Sequence, residues 1–250
     1  MVEPVLEVSN LSKKFYQQKK TITALKNINL SLREGEVFGL LGTNGAGKTT
    51  LSSILATLHP PTEGEVKYCG TSIYDDLDNY RRAVGFCPQR PNLNNYLNLR
   101  DNLYFAGLFY GLSSDEAKDQ VNLLADELEL HEYLDHVPQS LSGGWRQRFM
   151  LARSIVHSPK ILILDEPTVA LDPQVRHRLW EKIRGLKAKG LTIILTTHYL
   201  EEAEVLADRV CILHRGAIKL IDKPANLKND FKLKTLEEVF LQLTEEEVAI

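Results

Sequence analysis

The sequence predicts an α/β fold: a mostly parallel sheet with crossover helices, a small antiparallel β layer at the N-terminus and a helical insert in the middle. Three observations carry this. Short runs of continuous aliphatics recur, stretches of helical periodicity separate them, and the first 35 residues alternate instead. The runs are VFGLLG (Val37 to Gly42), KILILDEP (Lys160 to Pro167) and LTIILTTH (Leu191 to His198), with VCIL (Val210 to Leu213) as a further candidate. Unbroken aliphatics suit strands covered on both faces, as in a parallel sheet.

Leu6, Val8, Thr21, Thr23, Ile28 and Leu30 sit in short alternating segments, which places the antiparallel layer in residues 1–35. Residues 36–89 and 146–221 hold the aliphatic runs and form the core. Residues 90–145 show no strand pattern and read as the helical insert. Within it, Asp115 to Leu130 puts Ala117, Val121, Leu124 and Leu128 on one face, and Ser113 with Glu116 makes a capping box in front. Leu179, Ile183 and Leu186 form a second stripe, with Gly190 as its C-cap. Residues 222–250 are charged and mixed. They hold a helix over Thr235 to Leu243 and end in the acidic run Glu245 to Glu247, which reads as a solvated tail. No repeat or long linker divides the chain, so 1–250 reads as one domain.

Bulk properties narrow the class. Over 250 residues the chain is 43% hydrophobic and 25% charged, ordinary globular values. With 30 basic and 33 acidic residues the net charge is -3, so no global basic field favours nucleic acid. Cys69, Cys87 and Cys211 are odd in number and lack metal-ligand spacing, which suits reduced thiols. MVEPVLEVSN has neither the basic nor the apolar region of a secretory signal. No apolar run approaches the roughly 20 residues that cross a bilayer. Direct membrane insertion is not expected, and any membrane role must come through a partner.

Gly42-Thr43-Asn44-Gly45-Ala46-Gly47-Lys48-Thr49 fits G-x-x-x-x-G-K-[ST]. An aliphatic strand precedes it and Thr50 to Leu55 can open a helix, the context of a P-loop. Glycines let the backbone close around phosphates, and the helix N-terminus adds positive potential. Lys48 would neutralise β- and γ-phosphates, and the Thr49 hydroxyl would ligate Mg²⁺. Ile161 to Leu164 lead into Asp165 and Glu166. Two acids at the tip of a buried strand are costly unless used. Asp165 suits Mg²⁺, and Glu166 suits the general base for an attacking water. His198 ends the strand Leu191 to Thr197, where α/β sheets bind ligands, though one of seven histidines at such a place can equally be structural.

Leu141-Ser142-Gly143-Gly144, taken with the P-loop, the aliphatic-Asp-Glu strand and the later histidine in this order, resembles the nucleotide-binding domain of ABC (ATP-binding cassette) ATPases. The resemblance covers nearly the whole chain and implies a P-loop NTPase core whose helical insert carries the signature motif. It implies that Phe15 stacks on adenine, with Tyr16 as the neighbouring candidate and plain packing as the alternative. By the same resemblance Gln89, in Gly85-Phe86-Cys87-Pro88-Gln89, senses Mg²⁺ and water. Ser142, Gly143 and Gly144 would grip the γ-phosphate of ATP held by a second subunit, Asp172 would cross the dimer interface, and His198 would contact γ-phosphate. The resemblance thus implies that Gly42, Asn44, Gly45, Ala46, Gly47, Lys48, Thr49 and Thr50 bind the nucleotide.

Three positions depart from the family pattern. Trp145 follows the signature where glutamine is common, and shares a helical face with Phe149, Ala152 and Val156, so packing accounts for it. Thr43 replaces proline, and Val169 stands where serine or glycine is frequent.

Among ABC machines, repair ATPases need a long coiled-coil or zinc-bearing insertion between P-loop and signature, and neither heptads nor Cys pairs fill that stretch. Translation factors usually carry two cassettes. A transporter subunit fits best, and Leu200 to Glu204 with Ala207 to Val210 resembles the branch that exports drugs, lipids or polysaccharides. The expectation is an ATPase that closes as a homo- or heterodimer around two ATP molecules. It would be held at the cytoplasmic face of the inner membrane by an integral membrane permease. An importer subunit, or a soluble ABC ATPase acting on ribosomes or nucleic acid, is the alternative.

Overall fold

The computed structural model describes residues 3–17 and 20–245. β1 (Leu6–Gln17) and β2 (Lys20–Leu32) pair antiparallel, with Leu6 against Leu32 and Val8 against Leu30. β3 (Val37–Leu41) is buried along its whole length and runs into the phosphate-loop sequence, after which α1 (Lys48–Leu55) begins. β4 (Glu63–Tyr68) and β5 (Thr71–Ser72) then return to the first sheet, whose order is β2-β1-β4-β5. The antiparallel layer is therefore not confined to residues 1–35. Only Val66 of β4 is fully buried, opposite Val8, so the strand has no alternation to read in its sequence.

α2 (Leu77–Ala83) leads into β6 (Val84–Cys87). The helical insert follows as α3 (Leu99–Phe109), α4 (Ser114–Glu127) and the start of α5 (Gly143–Ile155). The capping box forms as expected: the Glu116 N–H donates to Ser113 Oγ and the Ser113 N–H to Glu116 Oε2. Next come β7 (Ile161–Asp165), α6 (Pro173–Ala188), β8 (Thr192–Thr197), α7 (Leu200–Leu206), β9 (Arg209–His214) and β10 (Ala217–Asp222). Gly190 lies just past α6 with a φ of 89°, in the left-handed backbone that ends helices.

The second sheet has the order β10-β9-β3-β8-β7-β6 and is parallel except for β10. Its central strands are covered on both sides, which is why they are aliphatic throughout. Leu162 and Leu164 of β7 face a cluster shared with Val121, Leu124 and Phe149 of the helical side. Ile161 and Ile163 face a cluster shared with Leu6, Leu11 and Leu51 beneath the antiparallel sheet.

α8 (Pro224–Phe231) and α9 (Leu236–Glu245) correct the reading of residues 222–250 as a solvated tail. Leu227, Leu236, Val239 and Phe240 are buried against Leu41, Ala203 and Ile212. Leu236, Val239, Phe240 and Leu243 fall at i, i+3, i+4 and i+7, an apolar stripe hidden among charges. The acidic run Glu245 to Glu247 lies outside the described side chains. Among the described residues no helix is long and apolar enough to cross a membrane.

Candidate functional site

Four neighbouring parallel strands deliver the site. In the order β3, β8, β7, β6 their C-terminal ends lead to Lys48, His198, Glu166 and Gln89. This is where open α/β sheets bind ligands.

The loop after β3 closes tightly. A Cβ on Gly42 would lie 2.5 Å from the Leu213 carbonyl oxygen and 2.8 Å from Ala46 Cβ. Gly47 holds a φ of 112° and leads straight into α1. No side chain caps that helix, so its first N–H groups can serve an anion. Thr43, Asn44, Gly45, Gly47, Lys48, Thr49 and Thr50 line a cavity of about 340 Å³ with Ala24, Gln89 and Glu166. Ala46 lies buried under the loop, where its carbonyl accepts from the Gly216 N–H at 2.9 Å.

Charge is concentrated at the cavity floor. The Lys48 side chain is only 4% exposed. It donates to the Gly42 and Thr43 carbonyls at 2.8 and 3.3 Å and pairs with Glu166 Oε1 at 3.2 Å. The other oxygen, Glu166 Oε2, takes Gln89 Nε2 at 3.0 Å and lies 3.3 Å from His198 Nδ1. Three residues singled out separately in the sequence thus meet on one carboxylate, a meeting the sequence did not foretell. Asp165 accepts from Thr49 Oγ1 at 3.3 Å and from Thr196 Oγ1 at 2.6 Å. Burial pushes the Asp165 carboxyl above its ordinary value, opposed by those two hydroxyls and by Lys48 and reinforced by Glu166. Oxygen donors around a carboxylate that is costly to ionise fit a hard divalent cation such as Mg²⁺.

Thr196 was not singled out in the sequence. Besides holding Asp165, its hydroxyl and carbonyl both accept from the Glu166 N–H at 3.0 Å. That bracket fixes Glu166 in a left-handed backbone, φ 50°. The available signal was a pair of hydroxyls, Thr196 and Thr197, ending an aliphatic strand.

Other expected residues lie elsewhere. Phe15 sits on β1 with its ring edge-on to His59, centroids 6.4 Å apart, and Lys13 Nζ 5.1 Å above it. It does not line the cavity, and Tyr16 is 74% exposed. Ser142 caps α5 by backbone alone, and Asp172 does the same for α6. Gly143 and Gly144 pack on the start of α6: a Cβ on Gly144 would lie 2.5 Å from Val175 Cγ1. The signature and Asp172 are therefore neighbours, and none of these residues lines the cavity. Trp145 packs as expected, 4.2 Å from the Tyr133 ring and under the Arg148 guanidinium at 4.6 Å.

The family model described as "ABC transporter" matches residues 25–169. The chain belongs to the ABC transporter family of ATP-binding cassettes. As an ABC ATPase it is 39% identical over 224 residues to Nod factor export ATP-binding protein I of Ralstonia nicotianae, spanning 90% of this chain and 68% of that protein. The protein of the same name from Burkholderia thailandensis is 41% identical over 203 residues, 81% of this chain and 66% of that protein. Among solved structures, the ATP-binding subunit of an ABC transporter superposes with a TM-score of 0.84 at 33% identity, covering 96% of this chain and 99% of that one. A dimeric post-hydrolysis cassette bound to ADP and Pi superposes with a TM-score of 0.80 at 30% identity, covering 87% and 98%. The cassette fold, with its antiparallel layer, mixed sheet and helical insert, is common to these structures and this chain.

Proposed function

We propose that the chain is the ATP-hydrolysing subunit of an ABC exporter, paired with a second ATPase subunit and coupled to a separate integral membrane permease. The observation that carries the chemistry is the Glu166 carboxylate, held at once by Lys48, Gln89 and His198. A carboxylate so fixed at the end of a phosphate cradle can take a proton from an attacking water.

Each group then has a task. The first N–H groups of α1 and the Lys48 ammonium bind the phosphates. Incoming phosphate oxygens compete with Glu166 for Lys48 and free the carboxylate to act as base. Gln89 orients the water, and His198 steadies both Glu166 and the γ-phosphate. Thr49, Asp165 and Gln89 would hold Mg²⁺, which supplies charge neutralisation on the phosphates when bound. Phe15, on β1 and outside the cavity lining, would meet the adenine beyond the phosphate cradle.

Ser142, Gly143, Gly144 and Asp172 lie close together and outside the cavity. They suit the nucleotide of a second subunit, so two ATP molecules would sit between two chains. Differential binding of ATP to the closed pair drives closure, and hydrolysis reverses it. The dimeric relative bound to ADP and Pi supports the pairing of two chains.

The permease side is the seam between core and helical insert. A cavity of about 630 Å³ lies there, lined by Arg81, Arg82, Arg153, Phe109 and Tyr110 among others. Phe109 is almost fully exposed. This groove suits a helix of the permease, which would hold the chain at the cytoplasmic face of the membrane. The relatives named for Nod factor export favour export over import.

Affinity purification of the tagged chain from detergent-solubilised membranes tests the assembly. A polytopic membrane protein in equal amount is the expected result; ribosomes or nucleic acid in its place would overturn it.

A further inference from the structure

Glu202 has no place in the scheme above, yet it is one of the least accessible charged residues in the chain. It lies on α7 with 0% exposure. Its Oε1 accepts from Trp180 Nε1 of α6 at 2.9 Å. The hydroxyls of Thr168 and Thr197 and the charge of Arg176 bear on the same carboxyl. These neighbours are telling. Thr168 follows Glu166 by two residues, and Thr197 immediately precedes His198.

A second set of contacts closes the loop. The Arg176 guanidinium lies 4.3 Å over the Tyr199 ring. Tyr199 packs on His198 with ring centroids 4.3 Å apart, and its N–H donates to Thr197 Oγ1 at 2.9 Å. At its other end α6 starts at Asp172 and sets Val175 against Gly144. One helix therefore touches the signature through Val175 and Glu202 through Trp180, about one and a half turns later.

Packing alone would favour an aliphatic residue here, because a buried carboxyl is costly unless its contacts matter. Glu202 Oε2, Thr168 Oγ1 and Arg176 Nε also carry no hydrogen bond among the described residues. Such orphans are unusual in a packed interior.

We propose that Glu202 is a positioning residue for hydrolysis. Its carboxyl ties α6 to the loops carrying Glu166 and His198, so that a movement of the signature and Asp172 resets the geometry of that pair. This rests on the assignment of Glu166 as base and His198 as its partner.

The test is steady-state ATP hydrolysis by the purified full chain, with kcat and KM read separately and Glu166→Gln run alongside. Glu202→Ala should lower kcat about tenfold or more with KM within about twofold, the signature of misplaced groups rather than lost binding. Glu202→Gln, which keeps the acceptor for Trp180, should restore most of the rate. Trp180→Phe should lower kcat about fivefold, and the Glu202→Ala Trp180→Phe double variant should lose no more than Glu202→Ala alone. Should Glu202→Ala not fold, Trp180→Phe and Glu202→Gln decide: wild-type kcat in Trp180→Phe overturns the proposal. A parallel rise in KM with the fall in kcat also overturns it. Normal turnover in Glu166→Gln would sink the base assignment, whereas a dead Glu166→Gln beside an unaffected Glu202→Ala would sink the positioning role only.

Discussion

Two helix starts in this chain, α1 at the phosphate cradle and α5 at the signature, share a glycine-rich approach and a free N-terminus but are built to opposite ends. Around α1 every charge has a partner within the chain: Lys48 with Glu166 and two carbonyls, Asp165 with Thr49 and Thr196. Around α5, Ser142 and Gly143 are exposed, and neither Ser142 nor the nearby Asp172 caps its helix with a side chain. A buried charge must be satisfied at home because desolvation is expensive, while an exposed polar group can wait for a partner. On the proposed reading, one half of a site is complete within the chain and the other serves a second subunit.

The contrast is sharpest where charge is removed. Glu166→Gln should keep ATP binding yet lower turnover about a thousandfold, within the range of lost general-base catalysis. ATP should then trap a dimer visible by size-exclusion chromatography; wild-type turnover would break the assignment. Lys48→Ala should weaken ATP binding by about 30-fold or more in calorimetry, since charge-assisted hydrogen bonds are worth about 2 kcal/mol or more. Unchanged affinity would show that the cradle does not depend on that ammonium.

On the other half, Ser142→Ala should leave ATP binding to the single chain unaltered but weaken ATP-dependent dimerisation by about tenfold, one hydrogen bond to a charged group. Weakened binding at subunit concentrations too low to dimerise would blur the division between the two halves. Gly144→Ala should have the smallest effect. The new methyl would lie 2.5 Å from Cγ1 of Val175, a stiff β-branched side chain, so about 1 to 2 kcal/mol of stability is at stake by overpacking, offset in part by the helix preference of alanine. A larger loss of melting temperature would show that the signature edge is as rigid as the cradle.

Legibility followed the same division. Residues 42–49 form a contiguous motif whose backbone demands lie within a few residues, so Gly42 and Lys48 could be placed from the sequence. The acids Asp165 and Glu166 announced themselves as charges ending an aliphatic strand. Thr196 and Glu202 did not, because a threonine in a strand and a glutamate in a helix are locally unremarked. Only burial and partners distinguish them. β4 hid because one buried valine makes no pattern, and α9, legible as a helix, hid its docking on the core because its apolar stripe was diluted by charge.

By itself, then, the sequence determined the aliphatic strands β3, β7, β8 and β9, the cradle and the residue types that handle phosphate, since these depend on local periodicity and loop chemistry. The tertiary structure alone decided that Lys48, His198, Glu166 and Gln89 meet, because their meeting needs β3, β8, β7 and β6 side by side in that order. It also decided that the signature lies beside the start of α6 and outside the cavity. Such adjacency comes from non-local burial of both sheet faces, which no short window of sequence contains.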